Sequence, residues 1–336
     1  MMNVRIEGDR VRIGRHFTLS FERTLRIPDD GRTYPLPPSL GSFPVRRVRD
    51  FAQRVPESWR ENGGVFIPMY QREAMWLLFR APYWRPCAVQ VGVGKVNAIS
   101  GKPWDGKLVR GDQDYVVCPD QPWLDGTKAG EGFIKQFVAM PLGMGYTVEG
   151  QVTGKEEFGG LQIQVFDPKP GRFPEMAPRE QRWRGPRVLF DSIQCCSASV
   201  PAGAEMGLGA GGRMHQEIYP DAHGIDTWDE TNTGRVFVHI VNSMMYREIT
   251  GEEPPATPVS ARLYAQYGLP WFGLYDEGKG DVKVSEVLAG VKSVKEMDEA
   301  KGFGGQADDE GVEIGMGQLT MLNAGEGANE VADGKW

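Results

Sequence analysis

Residues 215–223 read HQEIYPDAH and place His215, Glu217, Asp221 and His223 within nine positions. Imidazole nitrogen and carboxylate oxygen are donors that zinc, manganese and iron accept, and His239 would add a third imidazole from a distance. On an extended strand His215 and Glu217 face the same side. A divalent metal held there would activate water for hydrolysis. A hydrated loop after a strand explains the same residues, because the spacing fits no metal motif with a physical basis.

A second candidate is DYVVCPDQPWLDG, residues 114–126. Asp114, Asp120 and Asp125 share this stretch with Trp123, and an apolar wall raises a carboxyl pKa toward that of a general acid. Turn chemistry is the stronger reading of the same letters. Asp120-Gln121-Pro122 starts a turn in which the carboxylate bonds its own backbone, and Asp125-Gly126 is a turn dipeptide. Cys195 or Cys196 with His239 would make a thiolate–imidazole pair. Their flanks, SIQCCSASV, read instead as a strand carrying an inert core thiol. GLGAGG (207–212) meets a dinucleotide pattern only in its letters, since Pro201 interrupts the approach and Pro220 follows closely. A flexible hairpin or a close backbone contact is the expected use of those glycines.

The elements that must position these residues are mostly strands. Glycine (44 residues) and proline (24) are spread along the chain, which suits short strands joined by turns. MNVRIEGDRVRI alternates about Gly8-Asp9 as a hairpin does, and HFTLSFER puts Phe17, Leu19 and Phe21 on one face. GGVFIPM, CAVQVGVGKVNAI, DYVVC, FIKQFVAM, YTVEGQV, GGLQIQVF, RVLFDSIQCCSASV and RVFVHIV continue the pattern. The run 69–80 is too continuously apolar to separate helix from strand. Helices are expected near 257–267, with Thr257 as N-cap, and near 285–300, after Ser285. The fold class is therefore mainly β with a few peripheral helices, arranged as two packed β-rich halves in a sandwich or barrel. The expected division is a β-rich domain over 1–166, a proline-rich linker or excursion over 167–187, a second β-rich domain over 188–300, and an acidic, glycine-rich tail over 301–336.

Charge narrows the functional classes. The net charge is −7, yet residues 1–60 sum to +5 and residues 296–336 to −8. A nucleic-acid binder would show a clustered basic face, so no nucleic-acid partner is expected. No apolar run is long enough for a membrane span. The charged N-terminus lacks the apolar stretch of a signal peptide, and the four cysteines form no CxxC pair, which together point to the cytoplasm. No cofactor fingerprint stands, which leaves a divalent metal at 215–223 as the group these residues would take.

EAMWLLF (73–79), GKVNAISG (94–101), QDYVVCPDQPWLDG (113–126), QFVAMPLGMGYTVEGQVTG (136–154) and GLPWF (268–272) together resemble a widespread family of uncharacterised bacterial proteins. The resemblance spans roughly residues 20–280 and implies homology, with no activity, cofactor or catalytic residue attached.

The leading functional expectation is a non-catalytic structural or interaction protein that forms a homo-oligomer, with its basic N-terminal and acidic C-terminal segments contributing to the contacts. Trp271, at a helix end, and Trp336, at the chain end, are the candidate interface residues. A metal-assisted hydrolase built on 215–223 is the alternative. A carbohydrate- or peptide-binding module that exposes Trp123 and Trp271 in one groove is the third.

Overall fold

The computed structural model describes residues 1–177, 205–274, 279–303 and 309–322. Strands β1 (Val4–Glu7) and β2 (Arg10–Ile13) form the expected hairpin, turned at Gly8 with φ 62°. β3 (Phe17–Thr24) follows antiparallel and buries Phe17, Leu19 and Phe21. Short strands β4 (Thr33–Tyr34), β5 (Ser39–Ser42) and β6 (Arg46–Arg47), helix α1 (Glu57–Asn62) and strand β7 (Val65–Met69) lead to β8 (Ala74–Arg80). β8 pairs with β3 from Thr18↔Arg80 to Thr24↔Ala74. Its continuous apolar run is a strand that buries Met75, Leu77 and Phe79 on one face and leaves Trp76 and Leu78 half-buried on the other, so the alternation lies in burial and not in residue type.

β9 (Cys87–Val93), β10 (Val96–Asn97), β11 (Val116–Cys118), β12 (Trp123–Leu124), β13 (Gly126–Gly130) and β14 (Phe133–Pro141) come next. Helix α2 (Val148–Thr153) and strands β15 (Leu161–Pro168), β16 (Glu205–His215) and β17 (Trp228–Asn242) complete the body, followed by helix α3 (Ser243–Thr250). Antiparallel pairing runs β2–β3–β8–β14–β16–β17–β15–β9–β11. The sheet turns back on itself, because Met2 N donates to Thr233 O of β17 at 2.7 Å. One core takes Phe21, Leu77, Val91, Phe137, Ile163, Leu208 and Val238 from seven strands, which makes the molecule mainly β, as its composition implies. Strand pairing also crosses the expected 167–187 boundary. β14 bonds to β16 and β15 to β17, so the strands on either side share one sheet and one core.

Local capping explains three departures from the expected elements. YTVEGQV, read as a strand, contains α2. Thr147 caps it by accepting Gly150 N, and Gly154 ends it at φ 78°. These end signals outweigh the β-branched residues between them. Residues 285–300 form two helices, α5 (Glu286–Ala289) and α6 (Val294–Ala300), in place of one. A second cap at Ser293, closed by Glu296, restarts the chain after Gly290. The helix α4 (Ala261–Gln266) takes Ser260 as its cap instead of Thr257. GLGAGG lies inside β16, where a Cβ on Gly212 would stand 2.4 Å from Pro28 O; the close-contact use of these glycines fits.

The acidic C-terminal portion lies against the body as a strap, held by basic side chains that are buried or, for Arg72, half-buried. Arg72 meets Asp298 at 2.5 Å and Arg26 meets Asp309 at 2.5 Å, with both carboxylates almost fully enclosed. Lys128 bonds Asp281, Lys135 Nζ donates to Val291 O, and Arg23 donates to Ala256 O. Tyr146 OH adds a 2.7 Å bond to Asp298. Strands β18 (Trp271–Leu274) and β19 (Leu319–Leu322) form a separate parallel ribbon within the strap. Removing one partner of a buried pair costs about 3–5 kcal/mol, because the other charge is stranded. Arg26→Met is therefore expected to lower the unfolding free energy by about that amount in urea titration at neutral pH. Adding Asp309→Leu should restore most of the loss; failure to restore it would mean that packing, and not the charge, sets the cost.

Candidate functional site

The stretch 114–126 is a corner whose polar side chains are engaged from several directions. Asp114 is buried and accepts hydrogen bonds from Gln90 Nε2 (2.7 Å) and Val109 N (3.1 Å), tying residues 105–113 back to β9. Burial pushes its carboxyl up, against those two donors. Asp120 is exposed. Asp125 is buried at the start of β13, where its backbone N donates to Gln216 Oε1 at 3.0 Å and its carbonyl accepts from Phe137 N at 3.0 Å. Its Oδ2 has no hydrogen-bond partner among the described residues. Burial raises the Asp125 carboxyl to about 7, opposed by the neighbouring Trp123 and Gln216 side chains. No hydrogen bond among the described residues joins these three carboxylates through a shared partner.

His239 is equally committed. It is buried between Trp59, stacked at 4.6 Å, and Phe237, stacked at 4.4 Å, and its Nε2 lies 3.0 Å from Gly63 O. Burial drives its pKa down to about 4, so the ring is neutral through the physiological range. Cys195, its expected thiol partner, lies outside the described residues.

The residues of HQEIYPDAH divide between two places. Asp221 Oδ2 accepts from Tyr115 OH (2.7 Å) and Trp228 Nε1 (2.8 Å), and its Oδ1 accepts from His223 N (2.8 Å). The His223 ring stands edge-on to Phe173 and Trp228. That end of the stretch is a folded turn. His215 and Glu217 line a groove elsewhere, together with Gln216 and Tyr219. No three His, Cys, Asp or Glu side chains among the described residues gather as metal donors. The separation has a local cause, since Asp221 is taken up by Tyr115 and Trp228.

The groove, about 570 Å³ in volume, lies between the body and the strap. Its apolar surface comes from Leu36, Phe272, Ile314, Leu319 and Met321. Leu36 and Phe272 exchange backbone hydrogen bonds of 2.8 and 2.9 Å, which fixes β18 against the body. The polar wall, 216–219, is held from behind by two side chains. Gln121 Oε1 accepts from Tyr219 N at 3.0 Å, while Asp281 accepts from Ile218 N at 2.9 Å and from Gly132 N at 2.7 Å. The 114–126 corner therefore acts on the groove through the amide of Gln121 and not through its carboxylates. Sequence reasoning missed Gln121, Gln216 and Asp281, which belong to no motif.

Trp271 is fully buried against Tyr34 and Tyr264, and Trp123 packs half-buried against the same cluster. Neither offers an open stacking platform of the kind a sugar-binding groove needs. Trp336 lies outside the described residues. Comparison of the chain with known protein families, with curated proteins and with solved structures finds no match.

Asp125 sets a pH dependence. A carboxyl that ionises near 4 when unfolded and near 7 when folded binds an extra proton in the native state between those values. Its contribution to stability is largest in acid and falls as pH rises through that window. Asp125→Asn should remove this slope and be more stable than wild type above pH 7, by at most about 4 kcal/mol. Urea midpoints between pH 4.5 and 8 measure it, and parallel curves for the two proteins would show that Asp125 is not the group responsible.

Proposed function

We propose that this protein is a non-catalytic interaction protein that self-associates, and that the strap face carrying α4, β18 and β19 is the contact surface. The observation that supports this most is a cluster of large apolar side chains facing solvent. Val259, Leu263, Tyr267, Leu269, Leu319 and Met321 are each at least two-fifths exposed, Tyr267 reaching 72 %. They are neighbours, since Gln318 Nε2 donates to Ala265 O at 3.0 Å and so sets the start of β19 against the end of α4. Contiguous exposed apolar surface of this kind marks contact sites. Beside it runs an open edge: among the described residues β19 pairs only with β18. A second copy would cover the apolar side chains and extend the ribbon, and a two-fold axis would let both copies use the same surface.

Charge steering supports the reading less than the sequence suggests. Asp281, Asp298 and Asp309 bind Lys128, Arg72 and Arg26 within the chain, and Arg12, Arg32, Arg46 and Arg47 are paired with carboxylates of their own subunit. An apolar contact is therefore favoured over a head-to-tail ionic one. No helix among the described residues is long and apolar enough to cross a membrane.

Light scattering on the full chain across protein concentration and salt tests the proposal. A dimer or larger species that persists at high salt is expected. Leu319→Asp, an exposed substitution, should weaken it at least tenfold, since burying a leucine contributes about 1.5–3 kcal/mol. A wild-type monomer at every concentration would overturn self-association.

A further inference from the structure

β11 is three residues long and, among the described residues, pairs only with β9, in the register Val116↔Val89, Val117↔Ala88, Cys118↔Cys87. Directly opposed residues point to the same face. Val116, Val89, Cys118 and Cys87 all enter the main core, while Val117 and Ala88 pack into the cluster of Leu108, Tyr115 and Trp228 on the other face. The two thiols are buried, unbonded as a disulfide, and directly opposed across the strand pair. Opposed residues of an antiparallel pair have Cα atoms about 4.5–5.5 Å apart, inside the span a disulfide bridges without moving the backbone.

We propose that Cys87 and Cys118 form a reversible modification site, which closes to a cross-strand disulfide when the chain meets a small disulfide oxidant of the glutathione type. One cysteine, as thiolate, attacks a sulfur of the oxidant and releases its first thiol. The other cysteine then attacks the mixed disulfide and releases the second thiol. The two protein thiols are oxidised by two electrons, the oxidant is reduced to two thiols, and both cysteine protons end on those thiols. The neighbouring Cys118 and burial hold Cys87 in its neutral form, which makes the site slow to react while the strand is closed. Access comes through opening of β11, which is short and, among the described residues, paired on one side alone. Closure would pin β11 to β9 and, with it, the corner whose Gln121 seats the groove wall.

Cys195 and Cys196 are competing thiols, so the test uses the full chain with both replaced by serine. After incubation with oxidised glutathione, non-reducing peptide mapping should find residues 87 and 118 in one cross-linked peptide lacking two hydrogens. Denatured thiol titration should fall from two groups per chain to none, and dithiothreitol should restore them. The oxidised chain should unfold at higher urea than the reduced one. Persistence of two free thiols, or only stable glutathione adducts, would overturn the proposal. So would mapping of the wild-type chain that finds Cys87 or Cys118 joined only to Cys195 or Cys196.

Discussion

Arg26 and Lys128, with the half-buried Arg72, carry positive charge into the protein interior, where an ion without a partner costs several kcal/mol. Each takes a counterion from far along the chain. Asp309, Asp298 and Asp281 of the C-terminal strap supply them, from 283, 226 and 153 residues along the chain. The body and the strap are thus mutually dependent: the strap buries Trp271, Leu288, Val291 and Val294 against the body and supplies the carboxylates that pair with Arg26, Arg72 and Lys128. Capping fixes where the strap can bend. Ser285 bonds Ser100 O and starts α5, and Ser293 starts α6 so that Asp298 arrives beside Arg72 and Tyr146.

The groove follows from that docking. Its polar wall belongs to the segment after β16 and its apolar wall to the ribbon of β18 and β19, so it exists only while the strap is seated. Asp281 serves both purposes, since it binds Lys128 and also orients Gly132 and Ile218 at the groove. The exposed apolar cluster lies on the same strap. Its residues come both from α4 and its flanks and from β19.

Period-2 patterning carried most of the body, because strands such as β3 and β15 alternate or run apolar as their burial requires. The same patterning hid α2, where a Thr cap and a left-handed Gly decide the structure. Long-range pairing was beyond its reach. Nothing near Arg26 announces Asp309, and an acidic, glycine-rich tail reads as unstructured until its counterions are known. At the candidate sites, Asp221 and His239 were found as residues but not in their roles. A donor-rich spacing along the chain does not show that Asp221 already holds Tyr115 and Trp228. Gln121 escaped notice because a glutamine that seats a backbone resembles any other surface glutamine.

The interdependence of strap and body is tested most directly by native-state hydrogen exchange on the full chain. The amides of Val282 and Met297, which bond to Ile218 O and Ser293 O, are the reporters in the strap, and those of β14 and β16 are the reporters in the body. If buried ion pairs make the strap integral, its amides should exchange with an opening free energy close to that of the body strands. Strap amides that exchange orders of magnitude faster, while β14 and β16 remain protected, would contradict it and leave the strap a detachable appendage.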